Sequence, residues 1–224
     1  MTLSVTAGTA ETSASSRNSK PTVGLIGVGK LGTAVGRLLE AAGYPLLAWS
    51  RSDSAERNLA LSVMLPTAQM ASREEILRAD YLILAVPGPA AMNLDLSGYD
   101  GVIIDATNAW EPTDGDSPAG VNTRAFAQAN PDLRVVKTFN HTAYTELTAD
   151  ARPAHVPGRR ALGVAGDNEA ARHAVARIVD DAGFDPVEMT LPQGHILEPD
   201  GPVFGNRFER ADLQALVDAS TARG

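Results

Sequence analysis

"TVGLIGVGKLGTAVG", residues 22–36, decides the fold of this chain. A short apolar run leads into Gly27, Gly29 and Gly32, spaced G-x-G-x-x-G, and an alanine- and leucine-rich stretch continues to residue 42. That order predicts a buried strand, a tight turn and a helix over 30–42, the context in which the glycine spacing acquires meaning. Gly27 permits the turn, Gly29 lets another group approach the backbone with no Cβ in the way, and Gly32 lets the helix lie close on the strand. Val28, Lys30 and Leu31 fill the spaces between them. The unpaired N–H groups and positive dipole end of the helix then face outward and suit an anion. Gly36, one turn along, reads as a packing residue.

Outward from this unit the pattern repeats. "PLLAW" (45–49), "YLILAV" (81–86), "GVIIDA" (101–106) and "RVVKTF" (134–139) are apolar on both faces, as buried parallel strands are, and Ala-rich helical stretches separate them. A further short strand is expected near Ser62–Met64, and Ser72 with Glu75 reads as a capping box opening a helix that ends near Ala79. "RALGVAG", a helix capped by Asp167 and running to Ala182, and "PVEMTL" add one more strand-helix-strand unit after the connection at 152–158. The expected fold class is α/β: a doubly wound parallel sheet with a small C-terminal strand-helix-strand extension. Residues 1–20, rich in Ser, Thr and Ala, read as a disordered tail, 21–142 as the nucleotide-binding domain and 143–224 as a small C-terminal domain beside the cleft.

Composition narrows the partners. The 224 residues carry a formal net charge of -8 and no cysteine. The negative charge disfavours nucleic acid and anionic membranes, and the missing cysteine removes disulfides, thiolate catalysis and zinc-thiolate sites. No stretch approaches the ~18 apolar residues of a membrane span, and the N-terminus lacks the apolar core of a secretory signal, so a cytoplasmic protein is expected. The histidines at 141, 155, 173 and 195 show no paired metal-ligand spacing, and no metal is expected.

In this fold the end of the second strand lies beside the adenosine ribose of a bound dinucleotide, where a carboxylate favours a free 2′-hydroxyl. Here Ser50, Arg51 and Ser52 stand instead: two hydroxyls and a guanidinium fork, matched to a 2′-phosphate. NADP(H) is therefore the expected cofactor. Asp53 follows and reads as the cap of the next helix. Ala85, Val86 and Pro87 are expected to wall the nicotinamide, Asn108 and Asn140 to bond its ribose or carboxamide, and His141 to serve an acceptor molecule as hydrogen-bond partner or proton source.

"GVGKLGTAVG", "SRS", "YLILAVP", "VIIDATN", "VVKTFNHTAY", "VAGDNEAAR", "DDAGFDPVEM" and "LEPDGPVFG" together resemble the coenzyme F420-dependent NADP reductase family, especially its actinobacterial members. The resemblance spans Thr22 to about Gly205. It implies a homodimeric enzyme passing hydride between NADPH and a deazaflavin, with Ser50 and Arg51 on the 2′-phosphate, Gly27–Gly32 on the pyrophosphate, and the final strand-helix-strand unit shaping the deazaflavin cleft. At 141–144 the chain reads His-Thr-Ala-Tyr where that family tends to carry a pair of small residues. Two other readings stay open: an NADPH-dependent reductase of a flavin, quinone or small imine or carbonyl, and a non-catalytic NADP(H)-sensing module.

Overall fold

The computed structural model describes residues 20–50, 54–108 and 123–221. The expected tail therefore lies, except for Lys20, outside the described residues, as do Arg51, Ser52 and Asp53. In chain order the elements are β1 (Val23–Ile26), α1 (Lys30–Ala41), β2 (Leu46–Trp49), α2 (Ala55–Met64), β3 (Gln69–Met70), α3 (Arg73–Ile76), β4 (Tyr81–Leu84), α4 (Gly88–Met92) and β5 (Val102–Asp105). There follow α5 (Thr123–Ala129), β6 (Arg134–Lys137), α6 (Tyr144–Asp150), β7 (Ala161–Ala165), α7 (Glu169–Asp181), β8 (Asp185–Met189), a 3-10 turn (Pro192–Leu197) and α8 (Arg210–Thr221).

One eight-stranded sheet in the order β3-β2-β1-β4-β5-β6-β7-β8 runs through the molecule. The fold class is the α/β, Rossmann-type one expected. Strand β1 is buried throughout because it pairs in parallel on both sides, Val23 standing beside Leu46 of β2 and Tyr81 of β4. The chain first winds outward to β3 and then back past β1 to β4. This reversal opens a crevice at the carboxyl ends of β1 and β4. Val35 and Leu39 of α1, one helical turn apart, pack on Leu25 and Ile83 on one face of the sheet. Ile76, Leu84, Ile103 and Phe126 fill the other.

Three local readings are corrected. Ser62–Met64 is the last turn of α2 and not a strand; the short strand is β3, five residues later. Val63 is β-branched, but it lies in an amphipathic run that a helix accommodates. The cap of α7 is Asn168, whose side chain accepts the Ala171 N–H at 2.9 Å, while Asp167 accepts the Leu191 N–H at 3.0 Å and so ties α7 to the end of β8. The capping box of α3 forms as expected, with Ser72 and Glu75 bonded reciprocally, although the helix stops at Ile76.

β7 meets β6 antiparallel through the single pair Lys137 and Ala165, and β8 then continues parallel to β7. This junction is held by charge. Arg159 and Arg160, adjacent and both buried, immediately precede β7 and bond separate sets of carboxylates. Arg159 bonds Asp180 and Asp185. Arg160 bonds Glu146 at 2.7 Å and Asp150 at 2.9 Å on α6, and the carbonyl of Asn206 at 2.9 Å. Helix α6 in turn lies against α1, the helix of the glycine turn. We expect Arg160→Met to lower the unfolding free energy by about 2–3 kcal/mol in urea titration. That is below the full cost of orphaning a buried ion partner, because water can reach the two carboxylates once the guanidinium is gone.

Candidate functional site

The crevice is a cleft of about 480 Å³. Its floor is the turn Gly27–Gly29, one wall is Trp49 and Ser50 with Ala60 and Met64 of α2, and the other is Ala85, Val86 and Pro87 with Ala90 and Leu94. Each glycine of the turn answers to a separate constraint. Gly27 has φ +102°, and a Cβ there would lie 2.5 Å from the Ala85 carbonyl oxygen. Gly32 sits so close to the turn that its Cβ would lie 2.0 Å from the Gly27 oxygen. Gly29 caps α1, and a Cβ on it would meet nothing within 4 Å. Its freedom matters for what approaches from outside.

No acidic side chain stands in the first turn of α1, and no side chain caps it. The leading N–H groups of the helix are thus left to an incoming acceptor. Lys30 is exposed at the same end, its ammonium 5.5 Å from the centre of the Tyr144 ring. Leu31 is half-buried against the core. The cleft therefore offers hydrogen-bond donors and a cation at one end and apolar walls along its length. A floor with no Cβ at Gly27 and Gly29, beside unpaired helix N–H groups, fits a dinucleotide's pyrophosphate, and the walls fit its rings. Ser50 lines the wall at the end of β2; its neighbours Arg51 and Ser52 fall outside the described residues.

At the carboxyl ends of β5 and β6 the structure assembles a polar hub. Phe139 takes φ +63°, a conformation an aromatic residue rarely adopts, and it turns the chain so that Asn140 and His141 point inward. The Asn140 amide donates to Asn108 Oδ1 at 2.9 Å and to the Leu197 carbonyl at 2.7 Å, and Asn108 donates to the Asn140 carbonyl at 2.8 Å. Asn108 stays half-exposed. Asn140 is buried with its amide hydrogens spent on the protein, which departs from the expectation that it bonds a ligand.

His141 departs further. It is 1% exposed; its Nε2 accepts the Gly163 N–H at 3.2 Å, which puts the ring proton on Nδ1, facing Asn140 Oδ1 at 3.2 Å. Burial, helped by the nearby positive charges of Lys137 and Arg160, pushes its pKa down to about 3. A ring that is neutral, enclosed and bonded at both nitrogens braces β6 against β7; it does not donate protons to a ligand at neutral pH. The expectation of a proton-supplying His141 is corrected on that ground. His173 is largely exposed and bonds Glu188, and His195 bonds the Pro192 carbonyl. Among the described residues no group of His, Asp and Glu is arranged to hold a metal.

A second cluster had a signal that the sequence reading passed over. Lys137 is a charged residue at the buried end of β6, directly after Val135 and Val136, a rare placement unless the charge is paired. Its ammonium lies 3.2 Å from Glu198, 3.0 Å from the Thr123 hydroxyl and 3.3 Å from the Thr107 carbonyl. Asp105, its neighbour across the β5–β6 ladder, accepts from the Thr123 hydroxyl at 2.6 Å and the Thr107 N–H at 2.9 Å. Burial pushes the Glu198 carboxyl above its usual range, and Lys137 pulls the other way. Glu198 itself carried no local signal.

Residues 4–93 match the family model of the NAD-binding domain of the D-isomer specific 2-hydroxyacid dehydrogenases. No curated protein matches the chain in sequence. Among solved structures, a hypothetical protein, SMa0349 from Sinorhizobium meliloti, superposes with TM-score 0.74 at 26% identity, over 85% of this chain and 96% of that one. A candidate F420 dependent NADP-reductase from Arthrobacter sp. FB24 superposes with TM-score 0.59 at 21% identity, over 76% and 85%. An imine reductase from Myxococcus stipitatus in complex with NAD+ superposes with TM-score 0.57 at 16% identity, over 92% of this chain but 61% of that longer one. The chain shares the fold of these proteins, and its N-terminal part is similar to an NAD-binding domain. No helix among the described residues is long and apolar enough to cross a membrane.

Proposed function

We propose that this chain is an NADP(H)-dependent oxidoreductase that exchanges hydride with a deazaflavin of the coenzyme F420 type. The observation that carries the nucleotide half is the crevice at the β1–β4 reversal, floored by a turn with glycine at 27 and 29 that opens on the unpaired end of α1. Gly27, Val28, Gly29, Lys30, Leu31 and Gly32 hold the pyrophosphate. Ser50, Arg51 and Ser52 take the 2′-phosphate, for which a guanidinium between two hydroxyls is chemically matched. Ala85, Val86 and Pro87 form the apolar wall, and Asn108 faces the nicotinamide end. When bound, the nucleotide supplies the hydride; the protein positions and shields. The deazaflavin half is supported by the motif resemblance and by the likeness of fold to the Arthrobacter protein. Assembly as a homodimer, a cytoplasmic location and the division into 21–142 and 143–224 belong to the same proposal.

The test of cofactor choice is direct. Arg51→Ala should weaken NADPH binding about tenfold to a hundredfold, the loss of one charge-assisted phosphate contact, and leave NADH affinity within about twofold. Dissociation constants for both nucleotides, with wild type and variant, give the answer. A wild type that prefers NADH overturns the assignment. The acceptor is tested by following NADPH oxidation with F420, FMN, a quinone and a cyclic imine in parallel. Tight NADPH binding with turnover of none of them would point to a sensing module.

A further inference from the structure

Hydride transfer to a conjugated acceptor leaves a heteroatom that must take up a proton, and His141 is closed off from that task. The carboxyl edge of the sheet carries a different titratable pair. Lys137 has 2% of its side chain exposed, whereas Glu198, 3.2 Å away, has 16%. The lysine is the inner member and the glutamate reaches solvent. Lys137 ends β6, at the carboxyl edge of the sheet along which ligands lie in this fold, and bonds the Thr107 carbonyl, next to the half-exposed Asn108; Glu198 reaches that edge from the loop after the 3-10 turn. Glu198 is also held from behind, since the Leu197 carbonyl immediately before it is bonded by the Asn140 amide.

Resting on the oxidoreductase reading above, we propose that Glu198 is the residue through which the electron acceptor exchanges its proton, with Lys137 as its positioning partner. In acceptor reduction the acceptor carbon takes the hydride and its electron pair from the reduced nicotinamide. The O–H bond of protonated Glu198 breaks and a bond forms between that proton and a nitrogen or oxygen of the acceptor. The carboxylate left behind is neutralised by the Lys137 ammonium and is reprotonated from solvent at its exposed edge. In the opposite direction the same carboxylate accepts the proton. The acceptor class is a planar heterocycle or imine with a basic atom conjugated to the carbon that takes the hydride. The charged groups facing Glu198 are Lys137 from β6, Asp105 from β5 and Asp200 from its own loop; the two carboxylates favour its protonated form and the ammonium its ionised form.

The experiment begins on the ligand-free protein. With glutamate labelled at the side-chain carboxyl carbon, the ¹³C resonance missing from Glu198→Gln identifies Glu198. Its titration should move to higher pH in Lys137→Met, because the stabilising cation is removed. With NADPH and whichever acceptor of the panel turns over, Glu198→Gln should lower kcat ~100-fold and flatten the limb of the pH profile that follows Glu198. NADPH affinity should stay within about twofold, and Glu198→Asp should recover part of the rate. If Glu198→Gln does not fold, the double variant Lys137→Met/Glu198→Gln, which removes both members of the ion pair together, takes its place. A Glu198→Gln or double variant that keeps wild-type rate and pH profile overturns this assignment and leaves the oxidoreductase reading standing. A wild type that binds NADPH and reduces no acceptor overturns both.

Discussion

Gly32→Ala should unfold the protein several degrees earlier and abolish NADPH binding, since among the described glycines an added methyl group would meet its nearest neighbour most closely there. The added carbon would sit 2.0 Å from the Gly27 carbonyl oxygen and 3.2 Å from the Ala85 Cβ. Neither neighbour is the far end of a flexible side chain. Either α1 lifts off the turn or the turn opens, and overpacking of this kind costs about 1–3 kcal/mol or more. Both movements displace the leading N–H groups of α1 from the floor of the cleft. Gly29→Ala is the matched control. Its φ of -74° suits alanine and its Cβ meets nothing within 4 Å, so unfolding should stay within about 0.5 kcal/mol of wild type. The methyl nevertheless stands on the cleft floor, and NADPH affinity should fall. Thermal unfolding and NADPH titration of both variants separate a residue that glycine serves for packing from one that glycine serves for the ligand. A Gly32→Ala protein with wild-type melting temperature and affinity would refute the close-packing argument.

The strand-turn-helix unit was legible because its causes are local: three glycines, an apolar run before them and a 3.6-residue periodicity after them. Strands β1, β2, β4, β5 and β6 were legible for the same reason, each being a short, largely apolar run between helical stretches. Error entered where a residue's partner is distant in sequence. Asp167 and Asn168 are equally good local caps, and only the Leu191 N–H, 24 residues away, takes Asp167 for itself. The antiparallel step from β6 to β7 left no mark on either strand, since direction is set by the connection between them.

The same division runs through the candidate site. The cleft floor is one contiguous segment and could be read. The Lys137 cluster draws on residues 105, 107, 123 and 198, which no spacing relates, and its single trace was a lysine directly after the two valines of β6. His141 and Asn140 were rightly placed at the carboxyl edge, but sequence does not say on which side of the backbone they fall. The left-handed turn at Phe139 decides that.

Acid should expose His141 as a stability switch and not a catalytic one. In the unfolded chain its imidazole protonates near its ordinary pKa of 6.5, whereas in the folded protein burial holds protonation off until about 3. Between those values the unfolded state binds more protons, so lowering the pH through this window favours unfolding. The stability that the neutral ring contributes is fully present above about pH 6.5 and is lost progressively toward pH 3. At ~1.4 kcal/mol per pKa unit the loss reaches several kcal/mol by the bottom of the window. His141→Gln keeps an acceptor for the Gly163 N–H and a donor for Asn140 but cannot be protonated. Urea unfolding at pH 7, 5.5 and 4.5 should show wild type losing stability faster than the variant, while carboxylates titrate alike in both and cancel. In the same samples the wild-type imidazole ¹H resonances should not shift between pH 8 and 4.5. Parallel losses in the two proteins, or an imidazole that titrates near 6.5, would mean that water reaches the ring, and His141 would then return to the list of groups able to pass a proton to the acceptor.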